Sequence, residues 1–205
     1  MVDAALIKEC SDPGLKPAIV EQFIAQAGSS DPLAVTVRSG DRVILVPKVK
    51  TVDEAMALIG EYVGQAVVRV GITQYPAGLG IKDVSELKPD LVDACKNIRL
   101  GTTLFGKVYR IVTKWYGNAV DEAFEDAILS WKSGYFEGTA VFRDPDPGDV
   151  KLAEAKQDEP DIEPDAHVGA KPEDEEALGA LKANGASDPN RAGMRVDLSG
   201  IGGSR

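Results

Sequence analysis

The sequence has one histidine, two cysteines and no apolar run of bilayer length. Each scarcity removes a class of function. The single histidine is His167, so residues 1–143 contain none. That region therefore has no Ser-His or Cys-His pair and no histidine-based metal site. Chemistry there falls to carboxylates, lysine, tyrosine or cysteine. Cys10 and Cys95 lie far apart with no Cys-x-x-Cys spacing, which argues against a zinc site or a thioredoxin-type motif. From spacing alone they read either as two buried thiols or as one long-range disulfide, and a disulfide implies an oxidising compartment. No stretch approaches the ~20 apolar residues a helix needs to cross a bilayer, so no membrane span is expected. The opening MVDAALIKEC lacks a basic n-region and an apolar core. It does not read as a secretory signal, which makes a cytoplasmic location one expectation. Gly78-Leu79-Gly80 is followed by neither the full Gly-x-Gly-x-x-Gly pattern nor Gly-Lys-Ser/Thr, so no phosphate loop and no cofactor are expected.

Basic surplus is also missing. The net charge is −10, and it is segregated. Residues 1–143 carry 18 acids and 16 bases, a net of −2. Residues 144–205 carry 15 acids and 7 bases, a net of −8. A near-neutral body with an acidic tail argues against direct nucleic-acid binding, which runs on phosphate contacts from Lys and Arg. Pro47-Lys48-Val49-Lys50 is the one local basic cluster, and a solvated strand end accounts for it.

What is present reads as a mainly α (α+β) domain over residues 1–143. Residues 2–10 form a short amphipathic helix, and Ser11-Asp12-Pro13-Gly14 a turn. In the second helix, residues 15–27, Leu15, Ile19, Val20, Phe23, Ile24 and Ala27 share one face, from which Glu21 points away. Residues 34–38 and 42–46 alternate or run apolar about Ser39-Gly40-Asp41, a β-hairpin. Thr51 caps a third helix, with Glu54 in the capping-box position. VVRVGITQYP, residues 67–76, is β-prone. The long helix of residues 90–116 carries two adjoining apolar stripes, which makes it the central buried element. Gly101 and Gly106 are expected to permit close helix approach. A last helix, residues 120–133, turns Ala123, Phe124, Ala127, Ile128 and Trp131 inward. From Asp144 the chain becomes Pro-rich, acidic and free of aromatics. Residues 144–205 are expected to be a disordered acidic tail with a transient helix at 173–183.

The order of these parts resembles the lytic transglycosylase domain of type IV secretion systems, the VirB-type branch of the lysozyme-like superfamily. Ala27-Gly28-Ser29-Ser30-Asp31-Pro32 stands where that family has Glu-Ser-Gly-Gly-Asn-Pro. Gly71-Ile72-Thr73-Gln74-Tyr75-Pro76 corresponds to its Gly-Leu-Met/Gly-Gln-Ile-Asn. Asp93-Ala94-Cys95-Lys96-Asn97-Ile98 corresponds to its Asp-Pro-Cys-x-Asn-Leu, and Cys10 to its early cysteine. Its late Tyr-Asn-x-Gly falls near Trp131-Lys132-Ser133-Gly134. This match can be followed through residues 6–138, and the chain as a whole looks closest to TraH-type conjugal transfer proteins, a resemblance that covers the body. The resemblance implies a lysozyme-like helical domain, a Cys10–Cys95 disulfide, a place in the periplasm or cell envelope, and other conjugal transfer or type IV secretion proteins as partners, with peptidoglycan a further ligand.

The departures matter as much. A lysozyme-type glycosidase protonates the glycosidic oxygen with a carboxylic acid of raised pKa. The matching position is Ala27, and a methyl group donates no proton, so general-acid help worth ~10²–10⁴-fold is lost. Gly28 replaces the following hydroxyl, Trp131-Lys132 replaces Tyr-Asn, and Tyr75-Pro76 stands beside the retained Gln74. The expectation is a degenerate, non-catalytic transglycosylase-like protein with Gln74, Tyr75 and Trp131 as walls of a substrate groove. One rival is an active enzyme with a relocated acid, for which Glu61 is the best candidate. Another is a cytoplasmic adaptor or transported protein of the conjugation apparatus.

Overall fold

The computed structural model describes residues 2–152. The expectations for residues 153–205, including the transient helix and His167, lie outside the described residues. Helix α1 (Ala4–Cys10) starts where the Asp3 carboxylate accepts from Ala5 N at 2.7 Å. Helix α2 (Pro17–Ala27) opens on proline, whose missing N–H costs nothing in the first turn. Strands β1 (Val35–Ser39) and β2 (Arg42–Ile44) form the expected hairpin, closed at Gly40 with φ 57°. In α3 (Val52–Tyr62) Thr51 accepts from Glu54 N, while the Glu54 carboxylate reaches one residue further back, to Lys50 N at 2.7 Å. The stretch expected to be β-prone splits into β3 (Val67–Val70) and a two-residue β4 (Tyr75–Pro76) with a turn between. Helix α4 (Ala94–Tyr116) is capped by Asp93 and stopped by Gly117, and α5 (Asp121–Ser133) is stopped by Gly134. Both stop glycines are left-handed, as the αL C-cap requires. Beyond α5, β5 (Tyr135–Phe136) and β6 (Thr139–Ala140) make a second small hairpin that hydrophobic pattern alone does not foretell.

The fold is mainly helical with a small antiparallel sheet, strand order β2-β1-β3-β4. Two apolar clusters form. In the larger one Phe23, Ile98, Phe105, Tyr109, Phe124 and Trp131 bring α2, α4 and α5 together, and Phe23 stacks on Phe105 with ring centroids 4.0 Å apart. In the smaller one Val37, Val68 and Val70 of the sheet pack on Ala55 and Ile59 of α3. The first apolar stripe of α4 is buried from Ile98 through Val112. The second is only partly covered: Val108 is buried, but Trp115 is 60% exposed, lying edge-on against Phe136. A disulfide joins Cys10, at the end of α1, to Cys95 in the first turn of α4.

The first residues of the acidic segment follow α4. Lys107 Nζ donates to the carbonyls of Phe142 at 2.9 Å and Asp144 at 2.7 Å. Arg110 grips Asp146 through both carboxylate oxygens, and Leu152 packs against the larger cluster.

Candidate functional site

The motifs that carry the resemblance meet at one turn, residues 71–74, between β3 and β4. Four elements hold it. From just before β1, Ala34 O accepts from Gly71 N at 2.8 Å. From the end of α2, Ser29 N donates to Ile72 O at 2.7 Å. From α5, Trp131 Nε1 donates to Thr73 O at 3.1 Å. From α4, the Asn97 side chain does most. Its Oδ1 accepts from Thr73 N and Thr73 Oγ1, both at 2.9 Å. Its Nδ2 donates to Val70 O at 3.1 Å and Leu91 O at 2.7 Å. Asn97 is fully buried with every amide valence used, which is how a buried polar group avoids its desolvation cost.

Three glycines allow this closeness. A Cβ on Gly28 would lie 2.5 Å from Ile72 O and 2.7 Å from Ile24 O. Gly28 ends α2 in extended backbone, φ −99° and ψ −167°, so it is needed for space and not for a left-handed cap. A Cβ on Gly71, which also has φ 71°, would run into the Asn97 amide. A Cβ on Gly101 would overlap the Thr73 side chain. Gly101 thus admits the turn, where the sequence suggested approach of another helix.

The expected site residues sort as follows. Ala27 is the last residue of α2, half-buried against the larger cluster, with no proton to give. A depression of about 560 Å³ between α1 and α2 reaches Gly28, Ser29 and Ser30, and Glu21 borders it, exposed. Gln74 adopts a positive φ of 51°, uncommon for a residue with a side chain. Its Oε1 accepts from Thr36 Oγ1 at 2.8 Å and its Nε2 donates to Gly71 O at 3.0 Å, so the amide closes its own turn. Tyr75 is half-buried and touches both apolar clusters, and burial raises its hydroxyl pKa. Trp131 corrects the groove expectation. It is 1% exposed, packed among Phe23, Phe105 and Phe142, and presents no face to a ligand. A large ring with a single N–H satisfied inside is core material. Glu61 is exposed on α3, away from the residues that hold the turn.

Arg69 is a participant that local composition hides. It is 7% exposed and donates from Nη2 to Trp131 O at 2.5 Å and Lys132 O at 3.2 Å, and from Nη1 to Gln74 O at 3.3 Å. It thereby neutralises the carbonyl end of α5 and ties it to the turn. Burial, and secondarily the neighbouring Arg38 guanidinium, lower its pKa to about 10, so it stays charged at neutral pH. The usable signal was period-two alternation along β3, which sets Arg69 and Val67 on the face opposite Val68 and Val70.

Chemically, this arrangement fixes a scaffold. The Asn97 amide is fully bonded inside, the Gln74 amide is engaged in its own turn, and the side chain at residue 27 is a methyl group. The molecule is thus defined as a mainly helical α+β protein whose helical body and small sheet are clamped through one buried turn. The chain belongs to the TraH_2 family of TraH-type conjugal transfer proteins, whose family model matches residues 1–203. It is 53% identical over 211 residues, covering the whole of both chains, to the uncharacterized protein y4dP of Sinorhizobium fredii. No solved structure matches.

Proposed function

We propose that the protein is a non-catalytic component of a conjugative transfer apparatus, a lysozyme-like scaffold that works by contact with other transfer proteins and by holding peptidoglycan without cutting it. The observation that carries this reading is the fate of the α2 end. Ala27 takes the place matched to the acid, and Gly28 behind it has no room for a side chain. Yet the Gly71–Gln74 turn and the Asn97 clamp, which the resemblance ties to the same region, persist with full hydrogen bonding. The scaffold is kept where the proton donor is absent. We assign it to the cell envelope, since a Cys10–Cys95 bridge survives only in an oxidising compartment.

Three measurements decide it. Zymography on peptidoglycan gels is expected to give no clearing zone; a zone lost on Glu61→Gln would establish a relocated acid and overturn the non-catalytic reading. Isolated sacculi are expected to retain the protein above an unrelated acidic control, and equal retention removes the peptidoglycan half. Thiol trapping in the native host is expected to find Cys10 and Cys95 oxidised; two free thiols would return the protein to the cytoplasm.

A further inference from the structure

The face of the sheet opposite α3 carries an unusual pair. In the β1–β3 register Thr36 faces Arg69 and Arg38 faces Val67. Arg38 and Arg69 are therefore diagonal neighbours on one face, where cross-strand side chains interact and like charges repel. Together with Arg143, from beyond β6, they line an open cleft of about 550 Å³ between this face and the β5–β6 hairpin. None of the lining residues is acidic; Ser39, Gln65, Ser133 and Tyr135 supply the other polar side chains. Arg69 spends its donors on backbone carbonyls, which carry no formal charge. Arg38 differs again: its Nε is buried and, among the described residues, has no hydrogen-bond partner. Arg110 on α4 shows what this chain does with an arginine it means to satisfy, a two-pronged pair with Asp146. Arg69 thus faces carbonyl dipoles and Arg38 keeps a stranded donor, with no carboxylate among the residues that line the cleft beside them.

We propose that this cleft is an oxyanion-binding site, taking a phosphate or carboxylate group between Arg38 and Arg143 over the fixed charge of Arg69. Guanidinium forks match such groups two bonds at a time. Phe142, whose ring lies 5.2 Å from the Arg69 guanidinium carbon, and Tyr135 give the cleft an apolar wall beside the charges. The site is independent of the Gly71–Gln74 turn and of the non-catalytic reading above.

The test is titration of the full chain with inorganic phosphate and, separately, acetate, at ionic strength held constant with sodium chloride. Amide resonances are followed by two-dimensional NMR. Saturable shifts are expected at residues 37–39, 67–70 and 141–143, with at least a tenfold weaker constant in Arg38→Gln and in Arg143→Gln. Arg143 is exposed, so its variant keeps the test intact if Arg38→Gln folds poorly. Response to phosphate alone identifies a phosphate ligand, and equal response to acetate a carboxylate. No saturable response to either anion, or one undiminished in both variants, overturns the proposal.

Discussion

At the scale of the residue, Asn97 shows how much one side chain can decide. Four hydrogen bonds converge on a single buried amide, and the groups they satisfy belong to β3, the turn, and the segment before α4. Asn97→Ala strands Thr73 N, Val70 O and Leu91 O away from water. Each orphaned group costs about 1–3 kcal/mol, so the loss is expected to exceed ~3 kcal/mol in a denaturant melt. A loss under about 1 kcal/mol would show that water replaces the amide. Asn97→Asp is the sharper variant. It sets a carboxylate oxygen against the carbonyls of Val70 and Leu91, which favours the protonated acid in the folded state. The folded pKa then lies above the unfolded one, so stability is greatest at low pH and falls as pH rises through the ordinary carboxylate range and on to the folded value. A melt series from pH 4 to 8 checks the sign.

At the scale of the element, the segment after β6 sets a measurable expectation. The Arg110 hydrogen bond holds the Asp146 carboxyl below the usual carboxylate range, against some desolvation and with help from Gly148 N. A depressed folded pKa means the pair contributes above the ordinary pKa of about 4 and is lost as pH falls through the lower folded value. Both side chains are partly exposed, so the effect on global stability is small and salt-sensitive. Asp146→Asn is therefore expected to leave Tm within about 2 °C while trypsin cuts after Lys151 several-fold faster. An unchanged cleavage rate would mean that Lys107 and Leu152 hold the segment without the ion pair. The elements themselves were largely legible. Apolar spacing located α2, α4 and α5, the Thr51 cap marked the start of α3, and alternation around Gly40 marked the β1–β2 hairpin, whereas the Asp93 cap, which starts α4 at Ala94 and not at residue 90, was not read. Packing depth was not legible: Trp131 and Trp115 read alike on a helical wheel, yet one is core and the other lies at the surface. Nor was the arginine cluster, because Arg38, Arg69 and Arg143 are close only after β1 pairs with β3 and the last hairpin folds back. Pro47–Lys50, a cluster in sequence, takes no part in the cleft.

At the scale of the whole molecule, the order of chain segments explains why the disulfide sits where it does. The larger cluster is built from residues near both ends of the described chain, α1 and α2 from one and α4 and α5 from the other. Between them lies what makes the smaller cluster: β1, β2, α3, β3, β4 and, on the way to α4, Ala77, Leu91 and Val92. The sheet region is thus an excursion that leaves the helical body after α2 and must return it in register at α4. The 71–74 turn, Tyr75, the Arg69 bonds to the end of α5 and the Asn97 bond to Val70 O link the two regions along the way. The Cys10–Cys95 bridge, with a sequence separation of 85, closes a loop that holds α2 and the whole excursion. Its main effect is on the unfolded chain, which loses the freedom of a long open loop, a contribution of about 2–5 kcal/mol. Reduction with dithiothreitol is expected to lower the Tm of the full chain by about 5–15 °C, given ~2–4 °C per kcal/mol at this size. The Cys10→Ser/Cys95→Ser double variant is expected to show the same loss and no further response to reductant. A Tm unmoved by reduction would mean that the Asn97 clamp alone brings the excursion home, and that the bridge reports the compartment without stabilising the fold.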